Sequence, residues 1–567
     1  MPYKFEYQKE NSSSEKLSEE NHDFLVGFIA EKWDKWNDLR RSNLEINSEV
    51  EKAIYPSFRN LSAKQNIEMP EIYEVRETYK AHLWKSWFSS LDSMFDVQGK
   101  AREDHFMAAR QKASLIDVFR SINFVSKLEK GLDNWINKGE FIAFISWSTK
   151  VKQTRRKGFF TNEENYDYGN GSDAEAYIIK DEIIYDGPDF TIVAPEAFVF
   201  DASKADNFDV CPKIYRSWAT YDEISANKLY QNHEDLAALS AQEGAAEPHS
   251  QATNPSFEEG KATKGDQFEI LEYWGDIKLK DGSLLKNHVV TLAGRKKIIR
   301  FEPNPFIINP FIFASFLEDP VTKRGISPLC VALPLNKIST TILNLQLDAL
   351  KLIINKPYLA PKGSLSGKIN IKEGSIIEYD PALMPREPIP LEFGDALVGW
   401  EFLKFFESKI ESATGIFKYM IGDAKGVQQR TATEASGIML GQNIRLSKEI
   451  DVLNFRVKVP VVQKIAELLA NFSFDSREIK VFKSNGDVDF VLVDESVRQG
   501  KYDYIIGDSS AIFERKAKLK ENLEVLYEFA KHPEVSPMIK WIDVLKWTFE
   551  QLGSADPNMF IKTSEGG

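Results

Sequence analysis

Two helix-length segments held apart by a short stretch rich in proline and glycine limit the fold of this 567-residue chain more than any other feature. From Asn336 to Lys356, apolar residues at Ile338, Ile342, Leu345, Ala349, Leu352 and Ile353 mark the stripe of a helix about 30 Å long. Pro334 stands just before it and Pro357 just after, which predicts where it begins and ends. Pro357 to Gly394 then carries short strand-like runs, such as Ser375 to Tyr379, with too little apolar side chain for a core of its own. Its stability must therefore come from neighbouring subunits or partners. Asp395 to Ser412 is helical again and stops at Gly415.

Gly415 to Arg430 (GIFKYMIGDAKGVQQR) has three glycines and no sustained periodicity, so it reads as a loop. Gly415, Gly422 and Gly426 open backbone states that other residues avoid, which makes the segment a hinge. Its far end is fixed: Thr431-Ala-Thr-Glu434 has the pattern of a capping box and opens a helix running to about Phe472. A long loop between two helices needs a reason. This one combines glycines with Lys418, Lys425, Gln428, Gln429 and Arg430 and lacks an acidic majority, which makes it the best local candidate for touching phosphate.

The rest of the chain is too long for one core, and two to four units are expected. Phe24, Phe28, Trp33 and Trp36 mark one face of a helix ending near Asn43, and a second helical block runs from Tyr73 to about Asn137. Trp84, Trp87, Met94 and Phe95 in that block read as core. The period then changes to two: Phe141–Lys152, Ala176–Tyr185 and Phe190–Val193 are expected strands around a turn-rich segment, Asn162 to Asp173. Leu229 to Asp266, rich in Ala, Glu, Gln, Ser and Gly, is expected to be a mobile insertion with a short helix inside it. Strands resume at Phe268–Trp274, and Lys280-Asp281-Gly282 is the turn of a meander continuing through Ile298 to Phe301.

Charge and motif searches exclude several kinds of function. The chain has 72 basic against 85 acidic residues, a net charge of -13, so it does not grip nucleic acid by bulk positive charge. Arg155-Arg156-Lys157 and Lys296-Lys297 fall at strand ends or turns and read as solvated surface in preference to a nucleic-acid patch. Cys211 and Cys330 stand alone, which points to a reducing compartment and no cysteine metal cluster. The seven histidines have no zinc spacing, and no metal or cofactor site is expected. The string Gly363-Ser-Leu-Ser-Gly367-Lys368-Ile369 is one residue short of a phosphate-binding loop and lacks its hydroxyl. Gly507-Asp-Ser-Ser510 is not a nucleophile elbow, and Ser510 fits better as the N-cap of a helix from Ile512. No catalytic residues emerge. A carboxylate site assembled from distant positions stays open as an alternative, in a nucleic-acid-processing enzyme, as does a nucleic-acid-binding adaptor that forms no ring. The polar start, Met1 to His22, is unlike an export signal, and no apolar run is of membrane-spanning length.

Several strings carry a resemblance. Ala413-Thr-Gly-Ile-Phe-Lys-Tyr-Met-Ile-Gly422, Gln429-Arg-Thr-Ala-Thr-Glu434 and Arg445-Leu446 resemble the central signature of portal (head-to-tail connector) proteins of tailed double-stranded DNA phages. Tyr185-Asp-Gly-Pro188 and Ala194-Pro-Glu-Ala-Phe-Val-Phe-Asp201 look like the wing strands of such portals. Glu302-Pro-Asn-Pro305 and Arg324-Gly-Ile-Ser-Pro328 resemble their approach to the first stem helix, and Lys501-Tyr-Asp503 with Arg515 their C-terminal part. The resemblance covers roughly residues 70 to 530. It implies an α+β portal-type fold: polar arm 1–22, wing 23–328 with its insertion at about 229–266, first stem helix 329–356 and a small α/β clip 357–394. A second stem helix 395–414, tunnel loop 415–430, wing return 431–511 and crown-like helical region 512–567 follow. It further implies a homo-oligomeric ring, usually of about twelve subunits, at one capsid vertex of the virion, assembled in the host cytoplasm. Double-stranded DNA would pass through it during packaging and ejection. Its implied partners are the terminase large subunit, head-tail adaptor proteins and the major capsid or scaffolding protein, with no membrane and no enzymatic activity. An acidic bore would repel phosphates and let DNA slide.

Overall fold

A computed structural model describes residues 19–55, 67–88, 90–158, 176–232, 236, 263–264, 267–354, 358–361, 376–379, 389–390, 398–416, 445–482, 488–506 and 544. Outside them lie the N-terminal arm to residue 18, the turn-rich segment 162–173, most of 229–266, Gly363–Ile369, Ser510, Arg515 and, Val544 apart, the C-terminal region from 512. The expected loop residues from Phe417 and the Thr431 capping box also lie outside.

Leu25, Ile29, Trp33 and Trp36 give α1 (Glu19–Leu39) its buried face. One helix to Asn43 is expected from the sequence, but the chain breaks at Arg40 and restarts as α2 (Arg41–Ile54). The cause is the Arg40 side chain, which turns inward to bond the carbonyls of Pro195, Glu196 and Phe198. Several charge-assisted bonds outweigh the helical bond lost at the break. The helical block that follows contains α3 (Glu71–Trp87), α4 (Arg102–Ser121) and α5 (Phe124–Lys138), with an unexpected strand, β1 (Phe95–Gly99), between the first two. Trp87, Met94 and Phe95 are buried and Trp84 packs at the edge of the core, as expected.

β2 (Glu140–Gly158) and β3 (Ala176–Ile192) form one continuous antiparallel ribbon, so the two strands expected at 176–185 and 190–193 are one. The second sheet begins with β4 (Phe198–Phe200) and β5 (Lys213–Thr220). After α6 (Tyr221–Ala226), capped by Thr220 and Glu223, come β6 (Thr263–Lys264), β7 (Gln267–Lys278), β8 (Leu284–Ala293) and β9 (Lys297–Pro303). Their order is β4-β5-β7-β8-β9, with β6 on β7. The expected meander is present, and Gly282 takes the turn with φ +88°. β10 (Phe311–Ser315) joins the start of β2, from Glu140 to Phe144, and β11 (Leu317–Glu318) pairs with β12 (Gly325–Ile326). α1 covers one face of the larger sheet in a core of its own with Leu271, Tyr273 and Val290, while the main core gathers α3, α4, α5, β2 and β10.

A 3-10 turn at Pro328–Val331 leads into α7 (Leu333–Ile354), the first long helix. It starts before Pro334, because proline in a first turn gives up no helical bond. Beyond it, β13 (Tyr358–Pro361) pairs in parallel with β14 (Ile376–Tyr379) and antiparallel with β15 (Ile389–Pro390). α8 (Val398–Thr414) packs back on α7 and ends at Gly415, whose φ of +76° stops the helix while its amide bonds Glu411 O at 2.8 Å.

Residues 445–453 are helical and lead through a π turn, Asn454–Lys458, into α9 (Val459–Phe472). The π turn has a local cause: Pro460 has no N–H for the carbonyl of Arg456, so the ladder loosens there. β16 (Arg477–Phe482), β17 (Val488–Val493), α10 (Glu495–Gln499) and β18 (Tyr502–Ile506) complete the described chain, and β18 pairs with β1 from Phe95↔Ile506 to Gly99↔Tyr502.

Candidate functional site

α7 hangs from a buried clasp built by two of the strings that the sequence brought forward. Arg324 donates to Glu140 Oε2 at 2.7 Å, to Phe198 O at 3.1 Å and to Pro195 O at 3.2 Å, and the amide of Gly325 donates to Glu140 Oε1 at 2.9 Å. Arg40 donates to the same two carbonyls, Phe198 O at 2.8 Å and Pro195 O, and adds Glu196 O at 2.6 Å. Burial raises the Glu140 carboxyl and the Arg324 guanidinium pulls it back, while burial beside Arg324 lowers the pKa of Arg40. Ser327 donates to Ile136 O at 2.8 Å and accepts from the amide of Leu329 at 3.1 Å, which opens the turn into α7. The chains cross where a Cβ on Gly325 would meet the carbonyl of Gly139, so no side chain fits at that crossing. Breaking one partner of such a buried pair leaves an uncompensated charge and costs about 3–5 kcal/mol. The clasp thus sets the direction in which α7 leaves the body.

The hairpin of α7 and α8 has its polarity reversed. Asn336, Ser339 and Gln346 on α7 are buried, whereas Leu345 is 64% and Ile354 76% exposed and Ile338 is exposed as well. On α8, Leu403 and Ile410 are buried but Trp400, Phe402 and Phe405 stand in solvent, Phe402 at 54%. Gly399 allows the close approach, since a Cβ there would fall on the side chain of Gln346. Burial of a Phe or Leu side chain is worth about 1.5–3 kcal/mol, so a helix pair that leaves these in water is shaped for a further surface. The aromatic density at Trp400, Phe402, Phe405 and Phe406 is a signal in the sequence that periodicity alone passes over.

Of the expected loop, Gly415 and Ile416 are described; Ile416 is buried, and Gly415 sits against Arg445, whose guanidinium donates to Ser412 O at 3.4 Å. Lys418, Lys425, Gln428, Gln429, Arg430, Gly422, Gly426, Thr431 and Glu434 lie outside the described residues. Just after Arg445, Glu449 buries its Oε2 without a hydrogen-bond donor among the described residues, and burial pushes its carboxyl up to about 8.

Among the described residues, no group of His, Cys, Asp and Glu is placed to hold a metal ion, and no helix is long and apolar enough to cross a membrane. Cys211 and Cys330 are unlinked.

Residues 69–503, well over half of the chain, match the family described as Phage SU10 portal protein. That span takes in Glu140, the Pro195–Phe198 carbonyls, Arg324, both helices of the hairpin and the whole expected loop, and it leaves Arg40 outside. No curated protein matches.

Proposed function

The chain belongs to the phage SU10 portal protein family, and on that premise we propose that it closes into a homo-oligomeric ring of about twelve subunits at one vertex of the capsid. The ring is the passage for double-stranded DNA, inward during packaging and outward during ejection. It assembles in the host cytoplasm and remains in the virion. α7 and α8 serve as the stem, the small β13–β15 sheet belongs to the clip, and Gly415 to Arg430 is the tunnel loop with Lys418, Lys425, Gln428, Gln429 and Arg430 turned to the passing duplex. The clip docks first the terminase large subunit and then the head-tail adaptor proteins, while the wing meets the major capsid or scaffolding protein. The chain itself hydrolyses nothing.

The observation that supports this reading most is the reversed polarity of the hairpin. Exposed Leu345, Ile354, Trp400, Phe402 and Phe405 gain burial only when another surface covers them, and a neighbouring stem supplies such a surface, head to tail, at every position around a closed ring. Leu345→Asp combined with Phe402→Asp tests it. Because both residues are exposed in the single chain, the variant should keep the wild-type circular dichroism and yet fail to form rings at concentrations where wild type forms them. Rings of unchanged mass and stability in that variant would remove the stem interface from the account.

A further inference from the structure

The β2–β3 ribbon is longer than the body that supports it. β10 pairs with β2 only from Glu140 to Phe144, and beyond that point β3 is its only strand partner among the described residues, as far as Gly158↔Ala176. Trp147 still packs on Phe472, with ring centroids 5.7 Å apart. Then the register slips: Lys150 lies opposite Tyr185 and Val151 opposite Ile183, which leaves Ile184 as the extra residue of a bulge that bends the ribbon.

Past the bulge, Val151, Lys152 and Gln153 are all exposed, and so are Asp181, Glu182 and Ile183. Successive side chains of a strand point to opposite faces, so at these positions both faces of the ribbon are in water. From Val151 to Gly158 it extends about 25 Å. A two-stranded ribbon with neither face covered is marginally stable at best, and this one spends three aliphatic side chains on solvent: Val151 at 54%, Ile183 at 49% and Ile184 at 59% exposure. Val151 and Ile183 are cross-strand partners on one face. The stretch Lys150 to Lys157 contains Lys150, Lys152, Arg155, Arg156 and Lys157 and no carboxylate, and the facing stretch Ala176 to Tyr185 sets Lys180 against Asp181 and Glu182, which leaves the arm net positive on a chain of net charge -13.

We propose that this ribbon is an arm that lies on a neighbouring copy of the chain, with Val151 and Ile183 against apolar surface and its cations against the acidic body of that copy. The arm rests on the ring reading and adds the contact that the stem does not supply. Charge complementarity selects the occupant: the remainder of each chain is more acidic than the whole, so a basic arm finds its counter-charge on any neighbour. Nucleic acid matches the cations but gives the exposed aliphatic side chains nothing to pack on, and a second copy supplies both.

The test uses the full chain with Val151 replaced by photoreactive benzoylphenylalanine, irradiated after assembly, alongside Val151→Asp combined with Ile183→Asp. The expected result is a ladder of copy-to-copy crosslinks, together with at least a tenfold rise in the concentration at which half of the double variant is assembled, its unfolding midpoint unchanged. Rings that form normally but crosslink only within each copy, or a double variant that assembles like wild type, overturn the arm and leave the ring standing. Crosslinks that pass to added duplex DNA instead of a second copy overturn it too, in favour of nucleic-acid contact. A wild-type chain that never assembles overturns the ring, and the arm with it.

Discussion

Lys213 sits in β5 with its side chain buried, its ammonium 2.7 Å from Phe208 O and 4.3 Å from the centroid of the Phe208 ring. Burial pulls its pKa down to about 7, a drop that Cys211 and Asp209 oppose and Lys464 reinforces. In the unfolded chain the same lysine titrates at its ordinary value near 10.4. Between those two values the unfolded state holds one more proton than the folded state, so this group makes stability rise with pH from about 7 to about 10. Lys213→Met should therefore be more stable than wild type at pH 7, on the order of a few kcal/mol, with the difference shrinking toward pH 10. Urea unfolding of both proteins across that range reads it directly, and a difference that stays flat with pH contradicts it. Little of this was legible in the sequence, where Lys213 is one cation among 72. The clasp was half legible: Arg324-Gly-Ile-Ser-Pro328 and Ala194 to Asp201 were singled out as strings. Their partners Glu140 and Arg40 stand more than 180 and 150 positions away from Arg324 and Pro195 respectively, where no local pattern reaches.

Helices were the elements that the sequence made plainest, because apolar residues repeating every 3.6 positions over several turns fall on one side of a helix and of little else. α7 and α8 begin and end within a few residues of the positions that Pro334, Pro357 and Gly415 mark. Short elements were harder. β1 is five residues long, and its pairing partner β18 lies some four hundred positions later, so its alternation was lost inside a helical block. The break at Arg40 and the π turn before Pro460 come from a tertiary contact and a missing donor, neither visible in hydrophobic periodicity. The loop after Gly415 carries the sharpest expectation at this scale. An exposed contact between lysine and phosphate is worth about 1 kcal/mol and weakens with salt, which suits transient gripping over stable binding. Lys418→Ala with Lys425→Ala should leave ring assembly intact and lower DNA packaging or retention. Arg430→Ala, beside the expected Thr431 cap, should harm assembly as well. Packaging and retention at wild-type levels in the double lysine variant would leave the loop as a plain connection.

At the scale of the whole molecule, the segment before residue 69 lies outside the family match, yet α1 and α2 are integral to the body. Leu25, Ile29, Trp33 and Trp36 cover the six-stranded sheet, and Arg40 completes the clasp from which α7 hangs. An acidic body carries an apolar hairpin, a basic ribbon and a basic loop, and the proposed ring gives each of the three a task. In such a ring a net charge of -13 per chain would repel phosphate and favour sliding of DNA over sticking. Closure into a ring is the claim on which the functional reading depends, and the mass of the assembled wild-type chain, taken by native mass spectrometry at micromolar concentration, tests it most directly. The account predicts one closed species of about twelve 64.7 kDa subunits, annular in electron micrographs, with rings of neighbouring subunit counts as the only companions. A chain that stays at 64.7 kDa under those conditions and never yields annular particles contradicts it.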